Sequence, residues 1–234
     1  MNRETAEPKE KNFLAKWIGI YFSPSETFAS IERKPDWVLP LLITALVSIA
    51  VIFIIAPVLH DSQIQAMMDR GMSEDQAYQA MDRMSIFKYL TPVFGGIGVF
   101  IAAFVLSGIF YLVFNFFLGG ESSYKKVLSV YSYTGLAVGI VGTIVRVPLV
   151  LAKGTMKVQT GLAAFLPQDM QGRFLYKLFA KFDIFTIWEI VLLIIGLSVI
   201  YKFSKGKSAS GIIALWLIWI VISILLGNLI PGMA

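Results

Sequence analysis

Two charged residues lie inside stretches that are otherwise long and apolar enough to cross a membrane. Arg146 is the one formal charge between residues 127 and 152, and Glu189 is the one between residues 184 and 201. An ionised side chain in the hydrocarbon core costs from about 2.5–3.5 kcal/mol upward, so it normally faces the bundle interior or an opposite charge. Counted from helix ends near residues 152 and 183, both lie about six residues, or roughly 9 Å, inside the same boundary. We therefore expect an ion pair between Arg146 and Glu189.

The pair has two interpretations, and the sequence leaves both open. In the first, Arg146 and Glu189 fix the packing of two helices. In the second, they form a functional site for a proton, an ion or a lipid headgroup. Asp183 precedes the apolar stretch of Glu189, where a carboxylate can accept hydrogen bonds from the first backbone N–H groups of a helix. We expect it to be a helix cap, with membership of the polar site as the alternative.

The sequence contains few residues suited to catalysis or metal binding. The chain contains no Cys, which excludes thiolate nucleophiles, zinc–thiolate sites and iron–sulfur clusters, and its single His60 excludes a two-histidine metal site. No HExxH, GxSxG or GxxxxGK[ST] motif is present. The sequence therefore predicts no enzyme, no cofactor and no metal.

Small residues recur at four-residue spacing in two of the apolar stretches. Gly135 and Gly139 form one such ridge, and Gly98 and Ala102 form another. Small side chains let helix backbones approach closely inside a membrane. These ridges serve either packing within the chain or homodimerisation, and the sequence does not separate the two.

The elements that carry these residues are predicted from composition and charge. Of the 234 residues, 57% are apolar and 15% charged, and the mean hydropathy is +0.74. About 20 apolar helical residues cross the hydrocarbon core. The fold class predicted is an all-α polytopic membrane protein, a bundle of five transmembrane helices at residues 37–59, 91–118, 127–152, 183–203 and 209–230.

A segment of about 36 residues precedes the first span. Phe13, Trp17, Ile20 and Tyr21 share one helical face, and Ser23-Pro24 predicts the start of a second short helix. We expect two amphipathic helices that lie in the membrane interface as a collar around the first span. The chain therefore divides into a cytoplasmic N-terminal segment, 1–36, and a five-helix membrane domain, 37–234.

The basic residues predict the orientation. Lys and Arg number 11 in the segments on the side of the N-terminus and 8 on the other side. By the positive-inside rule, the N-terminus is cytoplasmic and the C-terminus lies outside. These charges are spread beside the spans, which favours contact with anionic membrane lipids over nucleic acid.

Three motifs then follow one another along the chain: Phe22-Ser23-Pro24-x-x-Thr27-Phe28 with Lys34-Pro35-Asp36-Trp37-x-x-Pro40, Leu118-Gly119-Gly120 with Tyr124-Lys125-Lys126-Val127, and Asp183-Ile184-Phe185-Thr186-Ile187-Trp188 with Gly196-Leu197-Ser198. Their order resembles the bacterial branch of the Yip-one domain proteins (Ypt-interacting proteins), over residues of roughly 13–230. The resemblance implies five spans and a cytosolic N-terminus.

Eukaryotic members of that family are implicated in vesicle trafficking and contact Rab-type GTPases. The N-terminal segment here is short, so we expect no Rab-type GTPase as a partner. The function predicted is a non-enzymatic protein of the bacterial inner membrane with a role in membrane organisation, a trafficking-like role or a partner-binding role. The partner expected is a membrane protein or a second copy of the chain. The alternative is a small transporter or channel that uses Arg146, Glu189 and Asp183 as an intramembrane polar site.

Overall fold

The protein is built from α-helices. Its computed structural model describes residues 11–167, 170 and 173–229, and no β-strand occurs among them. An isolated bridge between Gly161 and Asp183 is found instead of a sheet. The predicted all-α class is confirmed.

Five helices are long and apolar enough to cross a membrane, as the sequence predicted. They are α3 (Val38–Met68), α5 (Ser85–Leu112, continued by a π-helical turn at Val113–Phe117), α6 (Tyr124–Lys153), α8 (Ile184–Tyr201) and α9 (Lys205–Leu229). The first span is the one whose length differs most, because α3 continues to Met68 rather than ending near residue 59. Pro57 lies inside α3 without ending it. Residue 230, the predicted last residue of the fifth span, lies outside the described residues.

Four short α-helices of the described chain lie outside the five spans or beside them. The helix α4 (Glu74–Arg83) follows α3 and begins with a capping box between Ser73 and Gln76. The helix α7 (Phe174–Phe179) precedes α8. The two helices of the N-terminal segment, α1 (Phe13–Phe22) and α2 (Pro24–Arg33), are separated by Ser23 alone.

The N-terminal helices pack against the membrane-spanning helices. The Tyr21 hydroxyl, near the end of α1, donates a hydrogen bond to the carbonyl of Ala137 at 2.9 Å. Ala137 lies roughly 20 Å along α6 from its first residue, at 1.5 Å per residue. Phe28 and Ile31 of α2 are 0% exposed. The predicted face of α1 and the apolar face of α2 thus pack on α6 and α8, whereas Leu14, Ile18 and Phe22 of α1 are more than half exposed. Amphipathic periodicity does not show which neighbour covers such a face, and the interfacial position stays a prediction.

The spans are packed unequally along their length. A large core lies at the end of the bundle that carries α1 and α2, here called the N-terminal side. It joins the start of α6 and of α9 to the end of α5 and of α8, through residues that include Phe114, Val130, Tyr133, Leu197, Tyr201 and Ile212. At the opposite end, the far side, a smaller cluster of Ile55, Val58 and Val150 joins α3 to α6. The far side is therefore the more open end of the membrane domain.

Candidate functional site: a polar groove between α3, α6 and α8

Asp183 begins the site because it fixes the start of α8. Its Oδ1 accepts hydrogen bonds from the backbone N–H of Phe185 at 2.9 Å and of Thr186 at 3.4 Å, so the predicted helix cap is confirmed. The 18 residues of α8 span about 27 Å, close to the thickness of the hydrocarbon core. Asp183 consequently lies at the far-side end of this span.

Arg146 pairs with Asp183 and not with Glu189. Its Nη2 lies 2.6 Å from the Asp183 Oδ1, and its guanidinium carbon lies 4.8 Å from the centre of the Phe185 ring. The Thr160 hydroxyl completes the cluster with hydrogen bonds to Asp183 Oδ2 and from Arg146 Nε. The expected Arg146–Glu189 ion pair is therefore wrong in its partner. Depth along the helices did not distinguish Asp183 from Glu189, because a long arginine side chain reaches either one.

A cavity of about 360 Å³ lies beside this cluster, between α3, α6 and α8. We call it the far-side groove. Its walls are Val51 of α3, residues of α6 from Gly135 to Val147, and Phe185, Thr186 and Glu189 of α8. The α6 wall is about 16 Å long from Gly135 to Arg146, roughly half the thickness of the hydrocarbon core.

Glu189 faces the groove and lies five residues inside α8. Among the described residues, no hydrogen bond or ion pair to its carboxylate is found. A charged group removed from water without a partner is costly, and structural ion pairs in membranes normally neutralise it. Glu189 is thus the group of the candidate polar site with unused capacity for a proton or a cation.

The glycines of the two predicted small-residue ridges do not contact another span of the same chain. A Cβ added at Gly135, Gly139 or Gly98 would meet no atom within 4 Å. Gly135 and Gly139 line the far-side groove, whereas Gly98 and Ala102 lie exposed on α5. The interpretation as intramolecular packing positions is wrong for these glycines, since helical periodicity identifies a ridge but not what it faces.

Other glycines make the close approaches instead. Gly96 lies against Ile49 of α3, and Gly196 lies against Val130 of α6 and Phe28 of α2. At Gly196 an added Cβ would come 3.1 Å from the Phe28 ring, which is tighter than ordinary van der Waals contact. This glycine therefore allows α2 to lie directly on α8.

A second polar cluster, not predicted from the sequence, holds the N-terminal hairpin. Lys16 is 2% exposed, and its Nζ donates to the Lys34 carbonyl at 3.0 Å and to Asp36 Oδ1 at 2.8 Å. The Tyr133 hydroxyl of α6 donates to the other Asp36 oxygen at 3.0 Å. The sequence indicates this cluster only through Lys16, the one charged residue in the apolar stretch of residues 13–22. Its role is to join α1 to the start of α3 and to α6.

The chemistry available to these clusters is limited. Within the part of the chain that the structure describes, no three His, Asp or Glu side chains converge as a metal site. Asp183, Arg146, Lys16 and Asp36 are all engaged in hydrogen bonds that hold elements together. The arrangement supports binding through Glu189 rather than covalent catalysis, which needs a paired nucleophile and base.

Helices, charges and groove together define an integral membrane protein with five spans and a short N-terminal hairpin. A model of the Yip1 domain matches residues 18–227, and the chain belongs to that family. The matched region begins inside α1, so the hairpin is part of the domain for most of its length. The resemblance noted in the sequence is confirmed.

One curated relative covers nearly the whole chain. The chain is similar to "Membrane protein YknW" of Bacillus subtilis (strain 168), with 29% identity over 234 residues, which covers 97% of this chain and 94% of the relative. No solved structure matches the chain significantly. The family and this relative support a membrane protein and carry no specific activity.

Proposed function

We propose that the protein is a non-enzymatic protein of the bacterial cytoplasmic membrane that acts by binding a second membrane protein. Its N-terminus lies in the cytoplasm and its C-terminus outside. The proposal includes no Rab-type GTPase and no nucleic acid as partner. It rests on the roles of the ion pairs between helices, on the surface of α5 and on the distribution of basic residues.

The ridge of Gly98 and Ala102 on α5 is the observation that carries the proposal. Both residues are exposed on the outer surface of the bundle, and space is open where a Gly98 side chain would lie. Small residues on the outer surface of a membrane helix let the backbone of another helix approach closely, which favours helix association. The neighbouring side chains Phe94 and Val105 are 60% and 55% exposed and would form the flanks of such a contact.

The ion pairs between helices support a role without catalysis. Lys16 with Asp36 and Arg146 with Asp183 each join two or more helices, as structural ion pairs do. Glu32 of α2 likewise pairs with Lys126 of α6 at 2.5 Å. These charged residues hold the helices of the domain together. Binding to a partner would then use the outer surface of the bundle.

The orientation is supported by the positions of the basic residues. The 119–123 and 202–204 connections lie at the same end of the bundle as α1 and α2. By sequence, the segments assigned to this side have 11 of the Lys and Arg residues, against 8 in the segments assigned to the other side. Positive residues are retained on the cytoplasmic side of a membrane. The N-terminal side is accordingly the cytoplasmic side.

In-cell photocrosslinking tests the proposal. A photoreactive amino acid at Val105 leaves the ridge intact, and the matched control places the same residue at Val221, which is 58% exposed on α9. We expect an adduct of discrete protein mass from position 105 and none of that mass from position 221. Crosslinks to lipid alone from position 105 would contradict the proposal. An adduct of twice the monomer mass would identify the partner as a second copy.

The transporter alternative has one observation in its favour, the intramembrane Glu189 in the far-side groove. The dense core at the N-terminal side argues against a continuous path, because buried side chains of α1, α2, α6 and α8 fill that half of the domain. Flux of protons, Na⁺ and K⁺ into proteoliposomes, compared between the native protein and Glu189→Gln, tests it. Flux lost in Glu189→Gln would favour the transporter over the binding protein.

A further inference from the structure

The charges around the far-side groove do not cancel. Arg146 lies in an ion pair with Asp183, so these two contribute no net charge. Glu189 adds a carboxyl group that no described side chain pairs or hydrogen-bonds, and its ionised form carries one negative charge. A complementary occupant therefore carries a single positive charge.

The walls and size of the groove define the rest of the occupant. Val51, Val138, Val147 and Phe185 supply apolar and aromatic surface on three sides. The cavity of about 360 Å³ falls in the range of small-molecule sites, about 300–1,000 Å³. Thr143 and Thr186 are the uncharged polar side chains in the wall. A site with apolar walls and a single carboxylate suits an amine with a short apolar body.

We propose that the far-side groove is a binding site for a small organic cation, a primary ammonium group on a short aromatic or aliphatic body. The ammonium group lies at Glu189, about 8 Å inside the far-side boundary at 1.5 Å per residue. The apolar body lies along the glycine face of α6. This site goes beyond the proposed binding of a membrane partner, which uses α5.

Other occupants fit less well. A phosphate or a lipid phosphate group would meet the uncompensated charge of Glu189, and Arg146 already uses one guanidinium nitrogen on Asp183. A divalent metal ion needs several oxygen ligands, and no second carboxylate of the described chain lies with Glu189 in the groove lining. An amine needs one carboxylate and an apolar wall, which are both present.

The test uses the full-length protein in lipid nanodiscs, with 2-phenylethylammonium as the probe and the neutral 2-phenylethanol as its isostere. Binding is measured as a dose-dependent rise in the midpoint of thermal unfolding at pH 7, with NaCl at equal concentration as the ionic control. We expect stabilisation by the ammonium probe and much less by the alcohol. We expect Glu189→Gln to weaken binding of the ammonium probe about tenfold or more.

Two further variants keep the test decisive. Glu121→Gln removes an exposed carboxylate at the N-terminal side and should bind the probe as the native protein does. Gly139→Leu fills the groove while Glu189 is retained, and it should fold because space is open at that position, yet fail to bind. Equal stabilisation by the ammonium and the alcohol, stabilisation by NaCl alone, or unchanged binding in both Glu189→Gln and Gly139→Leu would overturn the proposal. The photocrosslinking result on α5 is independent of each of these outcomes.

Discussion

Arg146 and Asp183 meet between α6 and α8 with Nη2 and Oδ1 2.6 Å apart, and the same Asp183 oxygen caps the first turn of α8. One carboxylate thus sets both where α8 begins and how it packs against α6. The pair lies at the far-side end of α8, and Arg146 also lines the far-side groove. Glu189, deeper in the groove, is left without this partner.

We predict energetic coupling between Arg146 and Asp183. Asp183→Asn removes the ion pair and weakens the helix cap, and Arg146→Gln leaves a mostly buried carboxylate without its cation. Both should lower the free energy of unfolding in detergent, and the double variant should lose less than the sum, with a coupling of about 1–3 kcal/mol. The matched cycle of Arg146→Gln with Glu189→Gln should be additive within about 0.5 kcal/mol. Strong coupling in the second cycle and none in the first would contradict the observed pairing.

The hairpin of α1 and α2 should depend on the cluster of Lys16, Asp36 and Tyr133. Lys16→Met removes a buried ammonium group and its hydrogen bonds to the Lys34 carbonyl and to Asp36, whose side chain is 42% exposed. It should destabilise the protein by about 1.5–3 kcal/mol, since hydrogen bonds that involve a charged group contribute about that much. Lys11→Met is the control, because its Nζ lies 3.8 Å from Glu26, a carboxylate that is 78% exposed, and surface pairs contribute about 0–1 kcal/mol. Thermal unfolding of the purified proteins measures both. Similar losses for the two variants would show that Lys16 is not a structural centre.

Gly196 should not tolerate a side chain, whereas Gly139 should. Gly196→Val would push α2 away from α8, because the new Cβ meets Val130 and Phe28, and overpacking of this kind costs about 1–3 kcal/mol. Gly139→Val has open space around the new side chain and should cost less than about 1 kcal/mol. The midpoints of thermal unfolding of the two variants test this, and we expect the lower midpoint for Gly196→Val. The reverse order of stability would mean that α2 does not lie on α8.

The membrane orientation can be read with single cysteines, since the native chain contains none. We expect Tyr78→Cys on α4, which is 48% exposed, to react with a membrane-impermeant maleimide added to intact spheroplasts. Glu121→Cys, in the connection between α5 and α6, should react only after the membrane is permeabilised. The opposite labelling pattern would place the N-terminus outside.

Local signals predicted much of this fold. Hydropathy identified the five spans, because each must satisfy its own backbone hydrogen bonds inside lipid and so forms a long apolar helix. The Asp183 cap was equally local, since the carboxylate bonds to backbone groups only two and three residues away. Features of this kind depend on the sequence of one segment.

Contacts between segments were harder to predict. The rotation of α8 about its axis decides whether Asp183 or Glu189 reaches Arg146, and a nearly uniform apolar helix gives no periodic signal for that rotation. Likewise, the sequence could not show that Gly139 faces a groove while Gly196 contacts α2. The cluster of Lys16, Asp36 and Tyr133 joins residues far apart in the chain, so no short motif marks it.

The central claim is that the α5 ridge contacts a partner protein in the membrane, and the yield of the crosslink from position 105 tests it most directly. The measurement compares cells that carry the photoreactive residue at Val105 with and without Gly98→Leu, a substitution that fills the ridge at a position where space is open. We predict a protein adduct of discrete mass that is lost in Gly98→Leu, while the unfolding midpoint stays unchanged. An adduct that persists in Gly98→Leu at full yield, or no protein adduct in either strain, would contradict the account.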